Sequence, residues 1–185
     1  MGLQDALEVQ EMQSKIVPAT RTFVLRRTSR TMRAAVEKTK LDVLVVSVVK
    51  FRNGEGLLDK LNGLNAWCRV TELRLNECKL GEGGAQAIAA ALRVNTTLTE
   101  LDLRINVLGE GGGQAIAAAL RVNTTLTELN LNSNRLGEGG TQAIADVLRE
   151  NSTFQTLNLH GNSLEGGVKS AVRQSWGNRG GKLVL

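Results

Sequence analysis

The sequence predicts an α/β solenoid, in which strand–helix layers of equal length stack into one curved sheet behind an N-terminal helical cap. Three observations predict it. Residues 80–103 read LGEGGAQAIAAALRVNTTLTELDL and residues 108–131 read LGEGGGQAIAAALRVNTTLTELNL, so 22 of 24 positions recur at a spacing of 108 − 80 = 28. Inside each unit the apolar period changes midway from alternation to helical spacing, a strand followed by a helix. The chain carries 20 Gly, 1 Pro, no Tyr, 3 Phe and 2 Trp, so its core is left to Leu, Ala and Val, side chains that suit thin regular layers.

Size and charge narrow the setting. With 185 residues, 42% hydrophobic and 22% charged, the chain has the balance of a globular domain rather than a disordered segment or a membrane bundle. Its apolar runs, Val43–Val46 with Val48 and Val49 among them, fall far short of the ~20 residues a membrane-spanning helix needs. Asp5, Glu8 and Glu11 precede any cationic side chain, which is unlike a secretory leader, and Cys68 and Cys78 cannot build a disulfide framework. An intracellular, cytoplasmic setting is expected. The acid-poor, Arg/Ser/Thr-rich stretch that follows faintly resembles an organelle transit sequence and keeps that alternative open.

In chain order, residues 1–40 read as a basic helical cap. Helices are expected over 3–16 and 20–40, separated by Pro18, the second with Leu25, Thr28, Met32, Ala35 and Val36 on one side. Residues 1–69 hold 12 of the 23 Lys and Arg but 7 of the 18 Asp and Glu, so the positive excess lies in this third. Arg26, Arg30 and Arg33 share a helical face, either a solvated cap surface or one that meets an anionic surface. Only Phe23 interleaves with the arginines and no nucleic-acid-binding pattern is present, so nucleic acid is not expected as a partner.

A degenerate unit over 41–69 follows, with Leu41, Leu44 and Val46 at strand positions, Gly54 and Gly56 at the turn, and Leu57, Leu61 and Leu64 on a helix. Regular units cover 70–97, 98–125, 126–153 and 154–181. In the second, Leu101 and Leu103 alternate with Glu100, Asp102 and Arg104 as a strand buried on one face. Gly109–Gly113 is expected as a tight turn, Ile116, Ala119 and Leu120 as a helix, and Asn123 as its left-handed stop. Connections this short bury both apolar faces only by stacking on the next copy. At the end, Trp176 stands where Leu92, Leu120 and Leu148 stood, and residues 182–185 read as a capping strand over the last layer.

The spacing apolar-x-x-Leu-x-Leu-x-x-Asn/Cys-x-Leu runs through Leu98, Leu101, Leu103, Asn106 and Leu108, again through Leu126, Leu129, Leu131, Asn134 and Leu136, and through Phe154, Leu157, Leu159, Asn162 and Leu164. Val70 opens a unit with Cys78 at the Asn position, while the unit at Leu41 has Val49 there. This pattern resembles leucine-rich repeats of the ribonuclease-inhibitor-like type. The resemblance implies a right-handed superhelix, a curved parallel sheet and helices on its convex side. Where a strand leaves such a sheet, a buried amide can donate to one backbone group and accept from another, so Cys78, Asn106, Asn134 and Asn162 are expected to form a structural ladder.

No catalytic signature stands out, and an enzyme is not expected. His160 is the single histidine, the cysteines lack metal-ligand spacing, and the Gly runs lack the Lys-Ser/Thr of a phosphate loop, so neither metal nor cofactor is expected. The sequons at Asn95, Asn123 and Asn151 coincide with the helix-ending turn of each layer and read as structural. The informative surface is the outward face of the strands, in three columns: Glu72, Glu100, Glu128 and Thr156; Arg74, Asp102, Asn130 and Asn158; Asn76, Arg104, Asn132 and His160. These twelve residues are either common fillers of a solvated repeat position or a concave surface that binds a partner protein. The resemblance also brings a second function, since some similar repeat proteins activate a small GTPase.

Overall fold

The computed structural model describes residues 71–164 and 167–185, together with the backbone of two short strands, Thr22–Val24 (β1) and Val43–Val45 (β2). The elements then alternate: β3 (Glu72–Arg74), α1 (Gly81–Leu92), β4 (Glu100–Asp102), α2 (Gly109–Leu120), β5 (Glu128–Asn130), α3 (Gly137–Glu150), β6 (Thr156–Asn158), α4 (Gly167–Trp176) and β7 (Lys182–Val184). The seven described strands form one parallel sheet in sequence order, each pairing with the next. Leu44, Leu73, Leu101, Leu129, Leu157 and Leu183 lie in a single row across it.

In β3 to β6 one buried residue sits at the strand centre, flanked by residues that face solvent. Beyond its last strand residue the chain turns its next Leu inward as well, and Leu75, Leu103, Leu131 and Leu159 are all fully buried. Helices close the other side with Ile88, Ile116 and Ile144 and with Leu92, Leu120 and Leu148, giving one continuous apolar core. Each such side chain stabilises the fold by about 1.5–3 kcal/mol through burial, but only because the neighbouring layer covers it.

The Gly-rich run is part of the helix, not the expected turn. Helix α2 begins at Gly109, whose φ of +73° makes the sharp entry that a side chain would oppose, and it continues through Gly113. A Cβ at Gly113 would lie 3.0 Å from the Cα of Gly140, so glycine here lets α2 and α3 approach backbone to backbone. Asn123 also departs from expectation: the left-handed residues lie in the loops after the strands, and the equivalent Asn151 at the end of α3 is extended, with φ −93° and ψ 114°.

At the N-terminal side, Thr22–Val24 falls inside the segment expected to be helical over 20–40, yet it is strand β1, pairing Phe23 with Leu44. The triplet Thr-Phe-Val is β-branched and aromatic, which favours a pleated strand next to an existing edge. The remainder of the expected cap over 1–40, the helix over 57–64 and Cys68 lie outside the described residues. Of the expected strand positions of the degenerate unit, Leu44 pairs with Leu73, while Leu41 and Val46 lie outside the described residues. At the other end Trp176 is 5% exposed and covers the last layer, and β7 forms where residues 182–185 were expected to.

Candidate functional site

The outward face is set by what holds the strand exits in place. Asn106 accepts at Oδ1 from the backbone N–H of Cys78 (2.9 Å), and its Nδ2 donates to the carbonyls of Leu75 and Leu103 (both 2.8 Å). Asn134 repeats this one layer on, accepting from Asn106 N–H (3.0 Å) and donating to Leu103 (2.9 Å) and Leu131 (3.0 Å). Asn162 continues it, accepting from Asn134 N–H (2.9 Å) and donating to Leu131 and Leu159 (both 2.8 Å). Cys78 is buried in the same column, its thiol donating to the Asn76 carbonyl (3.4 Å). Asn106, Asn134 and Asn162 thus link successive layers through one column of buried amides.

A second ladder runs along the opposite turn. Asn123 donates to the carbonyls of Leu92 (2.8 Å) and Asn95 (3.1 Å) and accepts from the N–H groups of Thr125 (3.1 Å) and Leu126 (2.9 Å). Asn151 donates to Leu120 (2.7 Å) and Asn123 (3.0 Å) and accepts from Thr153 N–H (2.9 Å). Both amides are buried, so the nitrogen a glycan would need is already committed to backbone. Two amide columns thus clamp each layer at both ends of its strand, and the sheet between them is a rigid frame.

On that frame all twelve predicted residues face outward, half-exposed or exposed. The register places Glu72 beside Glu100, Glu100 beside Glu128, and Glu128 beside Thr156; Arg74, Asp102, Asn130 and Asn158 form the next row. The third row stays in step through backbone bonds from Glu77 N–H to the Arg104 carbonyl, Ile105 N–H to Asn132, and Ser133 N–H to His160. Asp102, Asn130 and Asn158 each accept at Oδ1 from the N–H two residues on, at 3.1, 3.1 and 3.0 Å, so this row also fixes the strand exits. Asn132 Nδ2 reaches the His160 ring (3.1 Å) and donates to its carbonyl (3.0 Å).

The arginines offset the stacked glutamates unevenly. Arg74 pairs with Glu72 and Arg104 with Asp102 (3.5 Å), each within its own layer. Glu100 therefore keeps a carboxyl pushed above the usual glutamate range, first by burial, then by Glu128 and Glu72 on either side, with Arg74 opposing. A cation brought to this row would meet an acidic stripe that the chain leaves incompletely neutralised.

The loops leaving the strands hold a feature not anticipated from the residues. Glu77, Lys79, Ile105, Val107, Ser133, Arg135 and Ser163 all have left-handed backbone, with φ between 53° and 59°. For Ile105 and Val107, β-branched and about half exposed at 46% and 47%, this conformation is costly. Among the described residues no cluster of three or more His, Cys, Asp or Glu is arranged to hold a metal ion. No described helix is long and apolar enough to cross a membrane.

Stacked strand–helix layers with an asparagine column at each strand exit define an α/β leucine-rich-repeat solenoid. In agreement, residues 69–89, 94–117 and 122–145 match the family model described as Leucine Rich repeat. The structure is similar to that of leiomodin-1 actin-binding site 2, with a TM-score of 0.66 and 25% identity over 81% of this chain and 88% of that one. It also resembles the C-terminal domain of tropomodulin from Caenorhabditis elegans, with a TM-score of 0.57 and 11% identity over 77% of this chain and 87% of that one. No curated protein matches the chain in sequence.

Proposed function

We propose that the chain is a non-enzymatic protein-binding module that receives a folded partner on the outward face of its sheet, within the cell. Its layers are the degenerate unit 41–69, the repeats 70–97, 98–125, 126–153 and 154–181 and the capping strand 182–185, with residues 1–40 as a basic extension. The observation that carries the reading is the stripe of Glu72, Glu100 and Glu128, held in register at about 4.8 Å spacing with a central carboxylate disfavoured first by burial and then by its neighbours. Such an arrangement destabilises the free chain slightly and is relieved when a partner brings cations to it. Because the frame is fixed from both ends, docking costs little ordering. The similarity to a domain named for actin binding makes actin the first partner to try.

The test is capture of partner by the intact chain, with actin co-sedimentation as one arm. Glu100→Arg with Glu128→Arg reverses the stripe while leaving every core residue in place, and should abolish capture with little change in thermal stability. Arg93→Glu with Arg121→Glu reverses charge at the helix ends as a matched control and should leave capture intact. Loss in the control with retention in the sheet-face pair would place the partner on the other side.

A further inference from the structure

Near-identical copies make their differences informative. Residues 80–107 and 108–135 differ at five positions, and four of these, 102, 104, 105 and 107, cluster where the chain leaves the strand. The fifth, Ala85 against Gly113, is buried between helices. Ile105 stands where the flanking layers hold Glu77, Ser133 and Gly161, and Val107 where they hold Lys79, Arg135 and Ser163. Both valine-like side chains are half exposed, in a backbone conformation that β-branched residues avoid, with left-handed φ of 58° and 53°. Neither packing nor local preference calls for them there. Strain and exposed apolar surface coincide at one layer of a frame that is otherwise copied faithfully.

From this coincidence we infer that the ridge formed by Ile105 and Val107 is the specificity-determining anchor of the module, and that it takes a protein segment presenting an apolar side chain next to a carboxylate. The inference rests on the binding reading above and adds to it which layer reads the partner. The apolar half follows from Ile105 and Val107 themselves, an exposed apolar pair whose surface a partner's apolar side chain would remove from water. The acidic half follows from charge: in the backbone register Lys79 and Arg135, both exposed, flank Val107 in the preceding and following layers. Arg104, at the foot of the ridge, is occupied by Asp102, which leaves those two cations to meet the partner.

The probe is a displayed library of random dodecapeptides selected on the intact chain, followed by titration of the synthetic consensus peptide. The consensus is expected to place Leu, Ile, Met or Phe beside Asp or Glu. Ile105→Ser with Val107→Ser should weaken its binding at least tenfold without lowering the melting temperature, because Ser133 and Ser163 already occupy these backbone positions at φ of 54° and 55°. Lys79→Glu with Arg135→Glu should weaken it similarly, while Val94→Ser with Val122→Ser, exposed apolar residues after the helices, should not. A selection without binders, a consensus lacking either feature, or unchanged binding in the serine pair overturns the ridge assignment. The sheet-face reading is decided separately by the charge reversals at Glu100 and Glu128, so failure of one is distinguishable from failure of the other.

Discussion

Arg179 stands one period after Asn151, 179 − 151 = 28, and completes the column that Asn151 belongs to. Its guanidinium donates to the carbonyls of Asn151 (2.8 Å) and Leu148, the same pair of offsets at which Asn151 donates to Asn123 and Leu120. The longer side chain reaches back to the preceding layer, and its charged head lies 5.6 Å from the Trp176 ring centre. Arg179 thus satisfies two carbonyls beside Trp176, which is buried against the core.

Arg179→Ala should therefore lower stability by about 1–3 kcal/mol, since it strands two carbonyls and removes a cation–π contact. Urea unfolding followed by circular dichroism gives the number. Arg173→Ala, exposed on α4, is the comparison and should move the midpoint little.

Asn134→Leu should cost about 1–3 kcal/mol, because it leaves the buried Asn106 N–H without its acceptor and takes from the Leu103 and Leu131 carbonyls one of the two amides that donate to each. Asn132→Leu, two residues away and outward, loses only exposed bonds to His160 and should be close to neutral. Equal losses in thermal unfolding would mean that the inward and outward sides have been exchanged.

Asn123→Ala tests the second column. Its amide serves two carbonyls and two N–H groups, so a loss of about 1–3 kcal/mol is expected, against almost none for exposed Thr124→Ala. Differential scanning calorimetry on the two variants decides it.

Much of this architecture is legible from the residues, because a period that switches from alternation to helical spacing fixes strand, helix and inward face together. The column of Asn106, Asn134 and Asn162 follows from the same register. For Asn95, Asn123 and Asn151 the residues point to structural sequons at the helix-ending turn, with Asn123 as a helix stop; the signal for a column is the recurring Asn-x-Thr ahead of an apolar residue, where the amide can hold the next N–H groups while its nitrogen reaches the preceding layer. Arg179 carries no chemical likeness to asparagine and is found only by counting 28 from Asn151. Thr22–Val24 was hidden in a stretch whose helical spacing of apolar residues outweighed three β-favouring side chains. At Ile105 and Val107 local preference argues against the left-handed turn, and the stacked layers on either side impose it.

The raised carboxyl of Glu100 gives a pH dependence with a definite sign. A glutamate whose folded pKa lies above its unfolded value binds its proton more tightly when folded, so its contribution falls as pH rises from about 4.3 through the folded value. Glu100→Gln should therefore raise the melting temperature at neutral pH, with the gain fading as the pH falls below that window. A gain that grows toward acid would reverse the sign of the argument.

The most direct measurement of the central claim, that the sheet face is where a protein docks, is site-specific photo-cross-linking. A photoreactive amino acid is placed either at Arg104, exposed on the sheet side, or at Gln114, exposed on α2. The account predicts a protein adduct from position 104 and none from position 114, suppressed in the Glu100→Arg, Glu128→Arg background. An adduct from position 114 alone would contradict it.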